Sequence, residues 1–173
     1  MTTVFLVGHS TRTIESFVDL LLAHSVNMLA DIRTIPRSRH NPQFDGEALK
    51  KELARHKIRY LHLRGLGGLR HAGKESVNIG WHNASFRGFA DYMQTEEFEV
   101  AIDRLILLAA KNTVAIMCAE GNPFRCHRSL VADALLVRQV TPLHISSKKS
   151  AREHVITPFA RVMGTKITYP VAQ

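Results

Sequence analysis

Short apolar runs of strand length alternate along this chain with stretches in which apolar residues recur every three or four positions. Val4 to Val7 is a continuous apolar run stopped by Gly8, the pattern of a buried strand. Thr13 then caps a helix carrying Phe17, Leu20, Leu21 and His24 on helical spacing. Met28 to Ile32 reads as a second strand, and Asp45 as the cap of a helix reaching Lys57 with Leu49 and Leu53 on one face. Ile58 to Leu63 alternates like a third strand. Phe89 to Met93 and Glu96 to Ala110 carry helical periodicity, with Thr95 as the cap between them. Val114 to Met117 is a fourth strand, and a helix follows over Arg128 to Arg138. Pro142 to Ile145 is a fifth candidate strand, Ala151 to Val162 is read as a helix interrupted at Pro158, and Lys166 to Tyr169 as a short last strand.

Strands alternating with helices at this spacing predict an α/β fold. The expectation is a mainly parallel sheet of about five strands with helices on both faces, a Rossmann-like three-layer sandwich. No internal repeat or low-complexity linker divides residues 1–173, so one domain is expected. Two segments resist regular structure: residues 34–44, with Pro36 and Pro42 among Arg37, Arg39 and His40, and the long glycine-rich stretch 64–88. A loop of the latter length in a compact domain is usually functional.

Composition changes this picture in two ways. A formal charge of +8 favours anionic partners, either small anions or nucleic acid, over a neutral surface. Two cysteines are too few for a disulfide framework, and no charged leader with an apolar core opens the sequence, so a cytoplasmic protein with reduced thiols is expected. The apolar runs fall well short of a membrane span, and no membrane association is expected.

In open parallel sheets ligands bind outside the carboxyl ends of the strands. Four segments deliver polar groups to that edge. The first strand brings Gly8, His9, Ser10 and Thr11; the second brings Asp31, Arg33 and the loop with Arg37 and Arg39; the third brings His62 and Arg64. The fourth is the richest. Cys118 ends an apolar run, Glu120 and a Gly-Asn-Pro loop follow, and Arg125, Cys126, His127 and Arg128 open a helix. Strand, tight loop and helix aim free backbone N–H groups and a positive dipole end at one point, beside which a thiolate is favoured.

Each residue also has a plainer reading. A cysteine ending an apolar run is often a small buried hydrophobe, and Cys126 rather than Cys118 is an alternative reactive thiol. Asp31 and Arg33 have the option of pairing only with each other, and Phe86, Trp81 and Tyr92 either cover the site or cap a small core. Cys118, Glu120, Cys126, His127 and His9 are all acceptable zinc ligands, but no paired Cys-x-x-Cys or His-Glu-x-x-His accompanies them. No metal site and no cofactor are expected.

The motifs resemble those of the domain-of-unknown-function 488 family of small bacterial and archaeal proteins. They are Gly8 to Thr11, Asp31 to Phe44, Leu66 to Gly68, Ser85 to Tyr92, Met117 to Glu120, and Cys126 to Arg128, spread over nearly the whole chain. That resemblance implies membership and no assigned activity. Residues 114–139 are also similar, more weakly, to the active loop of rhodaneses and cysteine-dependent phosphatases, which cradle an oxyanion with backbone N–H groups while a cysteine attacks. Cys118 and Arg125 here enclose six residues, one more than the phosphatase signature, and an acid inside such a cradle opposes phosphate.

Two functional readings stand. In the first the chain is an enzyme for an anionic or nucleotide-like substrate: Cys118 is the nucleophile, Glu120 and His127 the acid/base groups. Arg125, Cys126, Arg128, His9, Ser10, Asp31, Arg33, Arg37 and Arg39 then form its pocket. In the second it is a nucleic-acid-binding or processing module without cysteine chemistry, its basic rim meeting phosphates.

Overall fold

The computed structural model describes residues 1–171. Eight strands and five α-helices are present among the described residues: β1 (Thr3–Gly8), α1 (Ile14–Ala23), β2 (Met28–Asp31), α2 (Gly46–Arg55), β3 (Arg59–His62), α3 (Ala84–Tyr92), α4 (Glu96–Lys111), β4 (Val114–Cys118), α5 (Arg128–Leu136), β5 (Thr141–Ser147), β6 (Ser150–Glu153), β7 (Arg161–Met163) and β8 (Lys166–Thr168). Six strands form one sheet in the order β3-β2-β4-β1-β5-β6. The first five run parallel and only β6, at the edge, is antiparallel. The α/β three-layer architecture is as the alternation of patterns predicts, with six strands in the main sheet instead of about five.

Because side chains alternate across a strand, each parallel strand feeds two cores. Leu29, Ala115 and Met117 turn to the face covered by α1 and α2, with Phe17, Leu21, Leu49 and Leu53. Ala30, Ile116 and Cys118 turn to the face covered by α3, α4 and α5, with Phe89, Phe98, Ile102 and Leu130. Thr13 and Thr95 cap α1 and α4 through their hydroxyls. Asp45 precedes α2 but makes no capping bond; its Oδ1 accepts the Ser38 amide at 2.8 Å and fastens the proline-bearing loop instead.

Three expectations are corrected. Residues 151–162 contain no helix: β6 folds back on β5 as a hairpin, and β7 opens a second hairpin with β8, outside the main sheet. The last strand is therefore real but belongs to that small separate ribbon. The helix expected from Phe89 begins at Ala84, because Asn83 accepts the Ser85 and Phe86 amides and starts it before the glycine at 88. Residues 64–88 are accordingly less irregular than expected, holding a helical turn at Arg64–Leu66 as well as the start of α3.

What remains of that loop is tied to α3 by one carboxylate. Asp91 accepts the Gly73 amide (2.8 Å), the Ser76 hydroxyl (2.6 Å) and the Asn78 side-chain amide (2.7 Å). Buried Asn78 in turn accepts the Tyr169 amide at 2.8 Å and holds the C-terminal segment. Replacing Asp91 with Ala removes three bonds to one charged acceptor, each worth about 1.5–3 kcal/mol. The expected outcome is faster tryptic cleavage after Lys74 with little change at Lys50 and Lys51 in α2; unchanged cleavage kinetics would show that the loop is held by other contacts.

Candidate functional site

β1 and β4 are neighbours in the sheet, yet the chain leaves them for opposite faces: α1 covers one side and α5 the other. A crevice at such a switch point is the expected ligand position in an open α/β sheet. Cys118 is the last residue of β4, and its sulfur lies on the α5 side.

Two sulfurs and one guanidinium define the centre. Cys126 Sγ lies 2.7 Å from Cys118 Sγ and donates its S–H to it. Arg128, 2% exposed, donates Nη1–H to Cys118 Sγ at 3.2 Å and Nη2–H to the Gly121 carbonyl at 3.1 Å. No carboxylate pairs with Arg128 among the described residues. The thiol hydrogen bond from Cys126 and then the Arg128 charge hold the Cys118 thiol below the ordinary cysteine range, against its own burial. Donating that bond and being buried push Cys126 the other way, well above it. Of the two thiols Cys118 is thus the more acidic and Cys126 the less.

His127 is fixed beside them. Its Nε2 lies 2.9 Å from the Leu66 carbonyl and 3.2 Å from that of Ile32. Both are acceptors, so Nε2 carries the hydrogen and Nδ1, 3.6 Å from Cys126 Sγ, presents a lone pair. Burial pushes this imidazole down to about 4, which keeps it neutral near pH 7. Gly68 lies against the ring; a Cβ there would stand 2.5 Å from His127 Nδ1, so the glycine doublet that begins the long loop is a packing requirement. That doublet was the available signal for a residue the sequence reading did not count in the site.

A cavity of about 250 Å³ opens over these groups. Cys118, Glu120, Arg125, Cys126, His127 and Arg33 line it together with Thr34, Gly68, Leu69, Ser85, Phe86 and Ala119. Glu120 is exposed on its wall, with Oε1 accepting the Asn122 amide at 3.1 Å. The loop differs from an oxyanion cradle. The amides of Phe124, Arg125 and Cys126 are also spent within the loop, and the carbonyl oxygens of Glu120 and Gly121 turn inward, the former 3.5 Å from Cys118 Sγ.

The other expected residues divide. Asp31 and Arg33 form a buried bidentate pair at 2.9 and 2.7 Å, and Tyr60 donates to Asp31 at 2.6 Å. Asp31 is thereby spent, while Arg33 reaches the cavity and its Nη1 has no partner in the protein. His9 is buried and stacked on Phe44 at 4.3 Å, and Ser10 lies against Gly121; neither lines the cavity. Arg37 and Arg39 are exposed on the proline-bearing loop and also stand outside it. Phe86 covers the cavity, whereas Trp81 packs on Phe86, Phe159 and Tyr169 as part of a small core. No group of three or more His, Cys, Asp or Glu is arranged to hold a metal ion among the described residues, and no helix there is long and apolar enough to cross a membrane.

Two half-buried histidines set a pH dependence. His144 on β5 is likewise pushed down to about 4, by burial first and then by His154 and Arg128. Unfolded histidine titrates near about 6.5, so between about 6.5 and 4 the unfolded chain binds more protons. Stability from these two rings is full above that window and falls as pH drops through it. The denaturant midpoint is expected to decrease from about pH 7 to about pH 5, and His127→Gln to reduce the decrease. A midpoint flat over that range would show both rings to be freely protonated in the fold.

No curated protein and no solved structure matches the chain. A family profile does, over residues 13–135, the larger part of the sequence including both cysteines and Arg128. Its description is "Domain of unknown function DUF488", and the chain belongs to that family.

Proposed function

We propose that this protein is a thiol-dependent enzyme whose substrate is a small anionic or nucleotide-like molecule bound at the carboxyl edge of β2 and β4. The observation that carries this reading is the buried Arg128 guanidinium, which has no carboxylate partner among the described residues and faces Cys118 Sγ at 3.2 Å. A buried cation requires a counter-charge, and the thiolate form of Cys118 supplies it. That makes Cys118 the nucleophile. Glu120, on the cavity wall, serves as acid or base toward the substrate. His127 Nδ1, 3.6 Å from Cys126 Sγ, offers that S–H an acceptor once Cys118 has reacted. Arg125 and the free Nη1 of Arg33 bind anionic oxygen, and His9, Ser10 and Asp31 hold the walls in place. A reduced thiol pair fits a cytoplasmic protein.

Alkylation by iodoacetamide, followed residue by residue by mass spectrometry across pH, tests the thiolate. Cys118 is expected to react with an apparent midpoint well below the roughly 8.5 of a free cysteine, and Arg128→Gln to move it upward. A Cys118 midpoint near that of a free cysteine in the native protein would end the nucleophile assignment. Cys118→Ser should abolish any turnover found while leaving the fold intact.

A second reading is favoured by one observation. Arg37 and Arg39 stand exposed on a stiff loop with no carboxylate partner among the described residues, on a chain of charge +8. Such a rim meets nucleic-acid phosphates. Arg33 does not contribute to it, being neutralised by Asp31, and Arg70 is committed to the Tyr92 ring at 3.6 Å. Duplex binding is then expected to weaken with salt, by a log–log slope of roughly −0.9 per phosphate contacted, and Arg37→Gln with Arg39→Gln to flatten that slope by about 2. Absence of a shifted band at low salt would dispose of this reading.

A further inference from the structure

Arg128 has a second side. Beyond it lies a cavity of about 330 Å³ between the ends of β1 and β5, lined by Arg12, Arg128, Arg152, His144, Ser146 and Gly121 with Leu6, Ile145, Pro123 and Phe124. None of its three arginines pairs with a carboxylate among the described residues, and no Asp or Glu lines it. It is a positively charged, partly apolar hollow, and the charge on its walls calls for an anion.

A chain of buried polar groups ends at its wall. Asp133 lies on α5 within an otherwise apolar stretch, fully buried. Its Oδ1 stands 2.7 Å from His154 Nε2, its Oδ2 accepts the Tyr169 hydroxyl at 2.8 Å, and His154 Nδ1 stands 2.9 Å from His144 Nε2. A carboxylate accepts only, so His154 donates to it from Nε2. In the tautomer where His154 Nδ1 accepts, the His144 ring, held neutral by burial first and then by its neighbours, donates from Nε2. His144 Nδ1 is then a lone-pair acceptor, and it is buried with no partner in the protein. Buried polar atoms are almost always satisfied, so an orphaned nitrogen on a residue lining a cavity marks a ligand contact.

We propose that this cavity binds a small phosphorylated polyol, of the sugar-phosphate class: Arg12 and Arg152 hold the phosphate, and a hydroxyl of the sugar donates to His144 Nδ1. The arginines alone would fit any anion; the acceptor nitrogen, oriented by the relay from Asp133, selects one that also carries a hydroxyl donor. Leu6, Ile145 and Phe124, the last 79% exposed, give the carbon skeleton an apolar wall. The inference is independent of the thiol chemistry, because Cys118 does not line this cavity.

Calorimetric titration of the full chain with ribose 5-phosphate, inorganic phosphate and n-pentyl phosphate tests it. Ribose 5-phosphate is expected to bind, and Arg12→Gln or Arg152→Gln to weaken it by about tenfold or more, the loss of one charged hydrogen bond. Pentyl phosphate, lacking the hydroxyls, should bind about tenfold more weakly than the sugar phosphate, and His144→Ala should erase that difference. Should the His144 variant fail to fold, the arginine variants and the ligand comparison decide by themselves. Cys118→Ser should retain ribose 5-phosphate binding, unchanged or tighter because a competitor for the Arg128 charge is gone; loss of binding there would assign the ligand to the thiol cavity and overturn the proposal. So would no binding of ribose 5-phosphate, indifference to both arginine substitutions, or equal affinity for inorganic phosphate and the sugar phosphate.

Discussion

A guanidinium buried without a carboxylate is the constraint around which the carboxyl edge of this sheet is organised. Arg128 and Cys118 are 3.2 Å apart, and an effective dielectric of about 20 gives a thiolate–guanidinium pair at that distance roughly 5 kcal/mol of attraction. Desolvating each ion costs several kcal/mol, so the pair is close to balanced as a source of stability. Loss of one partner is what costs, since the other is left as an uncompensated charge. The surrounding chain is shaped to the pair. The Gly121 carbonyl turns inward to take a second guanidinium N–H, and β1 ends in Gly8, where a Cβ would stand 1.9 Å from the Glu120 carbonyl oxygen and 2.7 Å from Arg128 Nη1. Glycine at position 8 is the condition for β1 and the loop after β4 to approach closely enough to enclose the arginine.

Arg33 shows the opposite solution to the same problem. Asp31, two residues earlier, neutralises it through two parallel hydrogen bonds, and Tyr60 and the Phe44 carbonyl complete the arrangement. This pair braces the end of β2 and leaves only Nη1 for a ligand. The two arginines differ less in burial than in what balances them. Arg33 is a structural cation with one spare donor, while Arg128 has no carboxylate partner among the described residues and faces the Cys118 sulfur.

Much of the fold was legible because local pattern and tertiary demand agreed. The apolar runs of β1, β2 and β4 are buried on both faces, so they read as strands without reference to neighbours. Residues 151–162 failed for the converse reason: β6 and β7 are short, largely exposed strands whose identity comes from pairing across hairpins, and their composition carries no periodicity of its own. Of the site, the run from Cys118 to Arg128 was visible as a motif, since a strand end, a turn and a helix start lie close in sequence. The fate of Asp31 and Arg33 was visible only as an alternative. The relay was missed because Asp133, His144 and His154 meet only in space, although a lone aspartate between Ala132 and Ala134 in an apolar helix was a signal that something buried must satisfy it.

The strand order explains why two cavities of different chemistry share one arginine. From β4 the chain crosses over β1 to reach β5, so the first turn of α5 lies above the ends of both inner strands. Arg128, the first residue of that helix, stands on the ridge between them. On the β2 side of the ridge the lining includes both sulfurs, with residues after β2 and β4 and from the start of α3; on the β5 side it includes His144, with residues of β1, β5, β6 and the loop after β4. One guanidinium thus faces Cys118 with Nη1 while lining the cavity beyond. An anion on the β5 side would compete with the Cys118 sulfur for the same positive charge, and a thiolate formed there would weaken the attraction for that anion by the same amount. Coupling of that kind needs no moving part. It follows from placing a single uncompensated cation at the point where the sheet reverses its winding.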